Sequence, residues 1–302
     1  MPFNTLFSWW IGRRMDRIND YRDQPLANQA RMLEFLLLEG TQTSYGKAQQ
    51  FSTIENYQDF KSKVPLSDYG TLKPFIDRAI EGETDLLWPG ATKWFAKSSG
   101  TTSDKSKFIP VSPSSLDQCH FKGGRDAMSV YCTAYPETKV FTGKTLVLGG
   151  SHKINELDSG SRYGDVSAVM LQNLPFVADV FRTPERSIAL MDEWENKIEM
   201  LATTTMQENV TSVSGVPTWT LVLFQRILEL TGKQNMKEVW PSLELYMHGG
   251  VSFHPYKEQF MKLIGGDVQY LEMYNASEGF FAAQDKSNSE GMLLFLDHGI
   301  FY

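Results

Sequence analysis

The stretch "VTSVSG" at residues 210–215, followed directly by "VPTWTLVLFQRILELTG" at 216–232, decides the fold. The first part predicts a β-strand, and the second predicts a helix with Pro217 in its first turn. The pattern then repeats, with a strand at "LELYMHGG" (243–250), a helix at "HPYKEQFMKLIGG" (254–266), and a strand with a polar tail at "DVQYLEMYNASEG" (267–279). This β-α-β-α-β order predicts a parallel sheet with right-handed crossovers.

The rest of the chain divides into a mainly helical segment, residues 1–92, and an α/β core, residues 93–302. Helices are expected in the run to Asp20, in 26–40 with Gly40 in the usual C-terminal position, in 53–63, and in 67–82 with Ser67 or Asp68 as the cap. No repeat, low-complexity tract or long polar linker is visible. We therefore predict one domain over 1–302, of the α/β class, with a largely parallel sheet and flanking helices.

Composition and charge exclude several classes of protein. The 302 residues are 41% hydrophobic and 22% charged, which is typical of a globular chain that folds without disulfides or metal. A net charge of −7 argues against a general nucleic-acid binder. Cys119 and Cys132 cannot form a disulfide framework, and no metal-ligand spacing occurs.

The N-terminal stretch "MPFNTLFSWWIGRRMDRIND" has apolar residues at helical spacing. This fits a helix at a membrane surface or a helix that packs on its own domain, and we favour the second. No apolar run approaches the ~18 residues of a membrane span, so no membrane partner is expected and a cytoplasmic location is the default.

Several strands are followed by polar, glycine-bearing turns. The three strands above end in "SGVP", "HGGVS" and "YNASEG", and both "TLVLGGS" (145–151) and "WFAKSSGTT" (94–102) have the same form. Carboxyl ends of parallel strands share an edge, where open α/β sheets bind ligands. We expect all these loops to converge on one rim, although any single turn is equally explained as an ordinary strand end.

The loop "SSGTTSDKSK" (98–107) collects hydroxyls, a glycine and two lysines. Composition alone favours an idle surface loop, and the alternative is a cradle for a polyanion such as a triphosphate. Glu278, at the end of the third strand, is either a solvated turn residue or a ligand for the magnesium that accompanies a triphosphate. The sequence contains no Walker loop, no GxGxxG and no GxSxG.

Taken together, "SSGTT" with Lys107, "HGGVS" and "YNASEG" resemble motifs of the adenylate-forming superfamily, which includes firefly luciferase and acyl-coenzyme A ligases. More narrowly, they resemble the auxin-responsive Gretchen Hagen family of acyl-acid amido synthetases and its bacterial relatives. The resemblance implies the N-terminal large domain of an adenylate-forming enzyme, with 93–302 as its nucleotide-binding core.

The family's chemistry implies the substrates. A carboxylic acid attacks the α-phosphate of ATP to give an acyl-adenylate, and an amino acid then displaces AMP to give an amide. Two alternatives stay open: a thioester-forming acyl-coenzyme A ligase, or a non-catalytic binding module.

The resemblance also assigns roles to residues. The catalytic residues would be Lys107 and Glu278, with magnesium bound by Glu278. The residues expected to bind ATP are Ser98, Ser99, Gly100, Thr101 and Thr102 at the phosphates, Gly249, Gly250, Val251 and Tyr274 around the adenine, and Ser277. As a separate hypothesis, Arg125 pairs with the substrate carboxylate or with a second acidic group of the substrate, near Met128; an ordinary surface arginine is the alternative.

Two features depart from the family pattern. Asp104 replaces a glycine of the phosphate loop, and the chain ends 24 residues after Glu278. The resemblance therefore implies that the C-terminal parts of the family are missing, so that this chain would be the N-terminal portion of a longer enzyme and possess little activity by itself.

Overall fold

The computed structural model describes residues 2–98, 107–150, 154–286 and 291–302. The helices of the N-terminal segment are α1 (Pro2–Gly12), α2 (Met15–Asp23), α3 (Pro25–Gly40), α4 (Ser44–Ala48), α5 (Tyr57–Lys63) and α6 (Tyr69–Ile80). Of the two predicted caps for α6, the side chain of Asp68 accepts the Thr71 N–H at 2.8 Å. The expected helical character of this segment is confirmed.

Two details of the helical segment were predicted wrongly. The run to Asp20 is broken between α1 and α2, where Arg14 turns inward to reach the buried carboxylate of Asp126. Gly40 is the last residue of α3 and not a left-handed cap, because the cap position is Thr41 in right-handed conformation. A glycine is needed at position 40 for space, since a Cβ there would lie 2.9 Å from the Phe51 ring.

The strands are β1 (Trp94–Ser98), β2 (Lys107–Val111), β3 (Lys144–Leu148), β4 (Asn155–Glu156), β5 (Arg162–Gly164), β6 (Arg182–Thr183), β7 (Val210–Gly215), β8 (Leu245–Gly249), β9 (Gln269–Ala276), β10 (Gly279–Ala283) and β11 (Leu293–Leu294). They form a seven-stranded sheet in the order β11-β10-β9-β8-β7-β3-β6 and a four-stranded sheet in the order β2-β1-β5-β4. In the large sheet β6, β3, β7, β8 and β9 are parallel, as predicted.

The small sheet was not expected. We predicted that the turn after β1 would share one rim with the turns after β3, β7, β8 and β9, but β1 pairs with β2 and β5 in a sheet of its own. The strand-then-glycine signature identifies a strand end and carries no information about which sheet the strand joins.

The remaining helices lie against the two sheets. They are α7 (Pro113–Ser115), continued by a π-helical stretch (Leu116–Phe121) into α8 (Lys122–Ala134), then α9 (Val166–Gln172), α10 (Phe176–Val180), α11 (Arg186–Ala189), α12 (Trp194–Thr205), α13 (Pro217–Thr231), α14 (Met236–Val239) and α15 (Lys257–Ile264). Of these, α9 packs on the small sheet. Within the described ranges, no helix is long and apolar enough to cross a membrane.

The alternation along β8 shows how the sheet is buried on both faces. Tyr246 joins the cluster made with α12, α13 and α15, where its ring stacks on Phe260 at 4.7 Å. Leu245 and Met247 point to the opposite face and pack with residues of α2 and α8. Burial on both faces is typical of parallel strands with crossover helices.

A buried ionic cluster joins α8 to the N-terminal helices and to the segment after β11. Arg14 donates two hydrogen bonds to Asp126, at 2.8 and 2.6 Å, and Lys122 forms an ion pair with Asp297 at 3.1 Å. His298 lies 3.1 Å from Asp126. Among the described residues, Asp126, Asp297 and His298 are the one group with metal-ligand spacing. Because Arg14 and Lys122 already neutralise both carboxylates, we interpret the cluster as structural.

Candidate functional site

Three neighbouring strands end in polar turns at one edge of the large sheet. β7, β8 and β9 run parallel, with Ser214 opposite Met247 and Gly249 opposite Met273. The turns after Gly215, Gly249 and Ala276 therefore open at the same edge, which is the edge where α/β sheets bind ligands. This edge is the candidate site.

The turn after β8 requires its two glycines. A Cβ on Gly249 would lie 2.3 Å from the carbonyl oxygen of Met273, and Gly250 has a φ of +81°. Side chains are excluded by contact in the first case and strained in the second. Val251 follows with 42% of its surface exposed. The turn thus lies flat against β9 and leaves its outer surface open to a ligand.

β9 extends past this turn and returns as β10. Its partner residue for Gly249 is Met273, and the strand continues to Ala276, which pairs with Gly279 across a turn formed by Ser277 and Glu278. Tyr274 lies next to Met273, is 56% exposed, and has its ring 5.0 Å from that of Phe281. Tyr274 therefore follows directly on the residue that pairs with Gly249.

Glu278 is exposed at the tip of this hairpin, while Ser277 is half-buried. The Phe280 N–H donates to the Sγ of Cys119 at 3.2 Å and so anchors the hairpin to the π-helical stretch. The Glu278 carboxylate has no hydrogen-bond or ion-pair partner among the described residues. A free carboxylate on an anchored turn fits a magnesium ion that takes its remaining ligands from water and phosphate oxygens.

The β1–β2 hairpin presents Ser98 opposite Lys107. The Lys107 Nζ lies 5.5 Å from the centre of the Tyr69 ring, and the Tyr69 hydroxyl accepts the Phe108 N–H at 2.9 Å. Tyr69 on α6 thus supports the strand that carries Lys107, a role that the sequence did not reveal. Ser99, Gly100, Thr101, Thr102 and Asp104 lie outside the described residues.

A cavity of about 310 Å³ lies beside Glu278. Its lining includes Pro110 of β2, Gln118 and Cys119 of the π-helical stretch, Trp88, and Glu278. Burial raises the pKa of the Cys119 thiol, so this sulfur is an uncharged wall of the cavity. The cavity thus places Glu278 and Pro110 of β2 on one concave surface.

The predicted acid-binding pair lies elsewhere. Arg125 is exposed on α8, and Met128 is partly buried against the cluster below the sheet. Neither residue is among the described residues that line the cavity. The structure therefore does not bring this pair together with Glu278.

The turn after β3 is contacted by a buried lysine that the sequence did not indicate. Lys197 on α12 is fully buried, and its Nζ donates to the carbonyl oxygens of Gly149 at 3.3 Å and Gly150 at 2.6 Å. A lysine on an amphipathic helix is normally predicted to face solvent, so only the crossover packing of α12 reveals this contact.

Comparison with solved structures defines the fold. The chain aligns with the GH3.15 acyl acid amido synthetase in complex with 2,4-DB at a TM-score of 0.73 and 16% identity, over 89% of this chain and 56% of that one. It aligns with 2-hydroxyisobutyryl-CoA ligase at a TM-score of 0.53 and 14% identity, over 90% of this chain and 53% of that one. The fold is that of the N-terminal part of adenylate-forming ligases.

Sequence comparison defines the family. The GH3 family N-terminal domain matches residues 14–269, so the chain belongs to the GH3 family, which confirms the resemblance noted in the sequence. It is 31% identical over 106 residues to the indole-3-acetic acid-amido synthetase GH3.17 of Arabidopsis thaliana, covering 34% of this chain and 17% of that protein. The 4-substituted benzoates-glutamate ligase GH3.12 of the same plant is 30% identical over 108 residues, covering 35% and 18%. In the structural alignments the chain spans about half the length of its relatives.

Proposed function

We propose that this chain carries the nucleotide-binding and adenylation site of an acyl-acid amido synthetase. The observation that carries the proposal is the pair of neighbouring turns at one sheet edge, Gly249–Val251 after β8 and Ser277–Glu278 after β9, in a chain of the GH3 family. ATP and a carboxylic acid would be the first substrates, and an amino acid the second. The domain extent of 1–302, the use of magnesium and a cytoplasmic location stay predictions.

The adenine would bind against the β8 turn. Gly249 and Gly250 leave room for a flat ring beside the backbone, Val251 offers an exposed apolar surface, and Tyr274 stands next to them on β9. An aromatic side chain beside a planar base contributes stacking energy of about 1–3 kcal/mol. The Ser277 hydroxyl would hydrogen-bond the nucleotide from the neighbouring turn.

The phosphates would lie between the two hairpins. Lys107 would supply positive charge, with the hydroxyls and backbone amides of Ser98, Ser99, Gly100, Thr101 and Thr102 around it. Glu278 would hold magnesium, which when bound draws negative charge from the phosphate oxygens. Lys107 would stabilise the charge that develops at the α-phosphate during transfer.

The reaction then proceeds without a covalent protein nucleophile. A carboxylate oxygen of the acid attacks the α-phosphorus, the bond to the pyrophosphate oxygen breaks, and acyl-adenylate and pyrophosphate form. The amine of an amino acid next attacks the acyl carbon, loses a proton, and displaces AMP as the C–O bond breaks. Orientation and electrostatic stabilisation supply the catalysis.

For the acid we retain the hypothesis that Arg125 pairs with its carboxylate beside Met128. The replacement Arg125→Ala should then raise the KM for the acid, and an unchanged KM rejects the hypothesis. Gln118→Ala provides the comparison, since Gln118 lines the cavity that contains Glu278. A raised KM only in Gln118→Ala would place the acid in that cavity.

The thioester-forming alternative is supported by the likeness to a CoA ligase fold. One assay separates the possibilities: ATP and Mg²⁺ with indole-3-acetate, a 4-substituted benzoate or 2,4-DB, and either mixed amino acids or coenzyme A, followed by pyrophosphate measurement and mass spectrometry. Amide product with pyrophosphate supports the proposal, and thioester product supports the alternative. Pyrophosphate release that Glu278→Gln and Lys107→Ala leave unchanged rejects the assigned site.

A further inference from the structure

The turn after β3 is held by a dedicated set of polar contacts. Lys197 donates to two successive carbonyl groups, those of Gly149 and Gly150. From the other side, the Gly150 N–H donates to the Ser167 hydroxyl at 2.8 Å, and that hydroxyl donates to Asp165 at the start of α9. The backbone polar groups of the turn are thus fixed by side chains from two different helices.

The turn has no room to move toward these helices. A Cβ on Gly149 would lie 2.9 Å from the Ser167 hydroxyl, and a Cβ on Gly150 would lie 2.7 Å from the Asp165 carboxyl carbon. Both glycines are buried, although they follow directly on the end of β3. The contacts therefore set the position of this turn closely.

Burying a lysine for a structural purpose alone is unfavourable. The Lys197 side chain is fully enclosed, and burial lowers the pKa of its amine, which Asp165 and Asp192 counteract in part. Two neutral carbonyl groups compensate a buried charge less well than a carboxylate does. An apolar residue would fill the space at lower cost, which suggests that the position of the turn matters for function.

The location of the turn supports this view. β3 lies next to β7, with Leu148 opposite Gly215, and the next residue, Val216, lies within 3.5 Å of where a Gly250 Cβ would be. Trp194, one helical turn before Lys197, has its ring 5.6 Å from that of Trp219 in the first turn of α13. The β3 turn is thus the neighbour of the turns at the candidate site, and the Trp194–Trp219 contact joins α12 to the start of α13.

We propose that Lys197 is a positioning residue that holds the Gly149–Gly150 turn in place. This turn would form one wall of the ligand crevice, by which we mean the space above the turns after β3, β7, β8 and β9, on the side away from Glu278. This inference rests on the proposed function, because the crevice is the one that would bind ATP and the acid. Lys197 itself touches neither substrate in this account. It acts through the two carbonyl groups that it holds.

The test compares Lys197→Met and Ser167→Ala with a matched control, Lys144→Met. Lys144 is at the opposite end of β3 and donates to the carbonyl of Val180 at 2.5 Å, far from the crevice edge. Calorimetry measures the Kd of Mg²⁺–ATP, and then the Kd of indole-3-acetate or a 4-substituted benzoate with the non-reactive analogue AMPCPP bound. Hydrogen exchange of the Gly150 amide, with the midpoint of thermal unfolding, reports on the turn and on folding.

We expect the two crevice variants to raise at least one Kd about fivefold or more and to exchange the Gly150 amide faster, while Lys144→Met changes neither. If the wild type binds both ligands and all folded variants bind them with equal Kd values, the inference is overturned while the proposed function stands. If Lys197→Met does not fold, Ser167→Ala decides the outcome by the same criteria. Absence of Mg²⁺–ATP binding to the wild type would instead reject the proposed function, and this inference with it.

Discussion

Lys107 is the residue whose surroundings say most about the phosphate site. It begins β2, opposite Ser98, and its Nζ lies 5.5 Å from the centre of the Tyr69 ring. A cation held beside an aromatic face keeps its charge near the hairpin while remaining able to turn toward an anion. The side chain is half-buried, so its charge is only partly screened by solvent.

Lys107→Ala should therefore weaken Mg²⁺–ATP binding about tenfold, equivalent to ~1.4 kcal/mol. The matched control is Lys97→Ala, which removes an exposed lysine one position before Ser98 on the adjoining strand. Isothermal titration calorimetry on the wild type and both variants measures the effect. Equal losses in the two variants would mean that general charge, and not the position of Lys107, attracts the nucleotide.

The buried carboxylate of Asp126 gives a prediction about stability and pH. Burial by itself raises the pKa of Asp126, but hydrogen bonds from Arg14 and His298 and the charge of Arg14 outweigh it, so the pKa lies below the usual 3.8. A lowered pKa means that, as the pH falls, Asp126 is protonated at a lower pH in the folded state than in the unfolded state. The stabilisation is thus present above about pH 4 and is lost as pH falls through the folded-state pKa.

Asp126→Asn should lower the free energy of unfolding at neutral pH by about 3 kcal/mol, because it removes the more buried of the two carboxylates that compensate the Arg14 charge. It should also reduce the loss of stability below about pH 4. Urea unfolding across this range provides the measurement. Asp77→Asn, which breaks the exposed pair with Lys73, serves as the control and should leave the free energy of unfolding nearly unchanged. A similar, small effect of both replacements would contradict the structural role of the cluster.

At this scale the sequence indicated exposed turn residues and missed buried contacts. The turn positions of Glu278 and Gly250 could be predicted from residue type and from the preceding strands, while their roles in a site stay predictions. Lys197 and Tyr69 were not, since nothing in a single helix tells which polar side chain its tertiary neighbours enclose. For Arg125 the sequence predicted the helix, whereas its role at the acid stays a prediction.

At the scale of elements, α8 and the β9–β10 hairpin approach each other closely. A Cβ on Gly123 would lie 2.2 Å from the Cγ of Phe280, whereas a Cβ on the neighbouring Gly124 would meet nothing within 4 Å. The same helix thus contains one glycine needed for contact and one that is not. Phe280 follows directly on the hairpin tip that contains Glu278 and Gly279.

Gly123→Ala should destabilise the protein by about 1–3 kcal/mol through overpacking against Phe280. Gly124→Ala should stabilise it by about 0.5–1 kcal/mol, since alanine is the better helix former. Chemical denaturation of both variants tests the pair of signs. Stabilisation by both would show that α8 does not contact Phe280 as described.

The parallel strands β3, β7, β8 and β9 of the large sheet were predicted, because apolar strand segments alternate with helices along this part of the sequence. The small sheet was not predicted. Its strand β2 contains Pro110, which fits because β2 is at the edge of that sheet and a proline there removes no ladder hydrogen bond. Sheet membership depends on long-range pairing, such as Trp94 with Arg162, that leaves no local pattern in the sequence.

For the molecule as a whole, one cavity is bordered both by Pro110 of the small sheet and by Glu278 in the β9–β10 turn of the large sheet. The proposed adenylation requires the phosphates, the base and the acid to be held at once. Glu278 is the proposed site residue that this cavity shares with the edge of the large sheet.

The most direct test of adenylation follows an oxygen atom. The acid is labelled with ¹⁸O in its carboxylate and incubated with the protein, ATP, Mg²⁺ and amino acids, and the AMP produced is examined by mass spectrometry. Attack of the carboxylate on the α-phosphorus predicts AMP with one ¹⁸O in its phosphate, together with pyrophosphate and amide. Unlabelled AMP, or ADP with inorganic phosphate, would contradict the proposal that this chain contains an adenylation site.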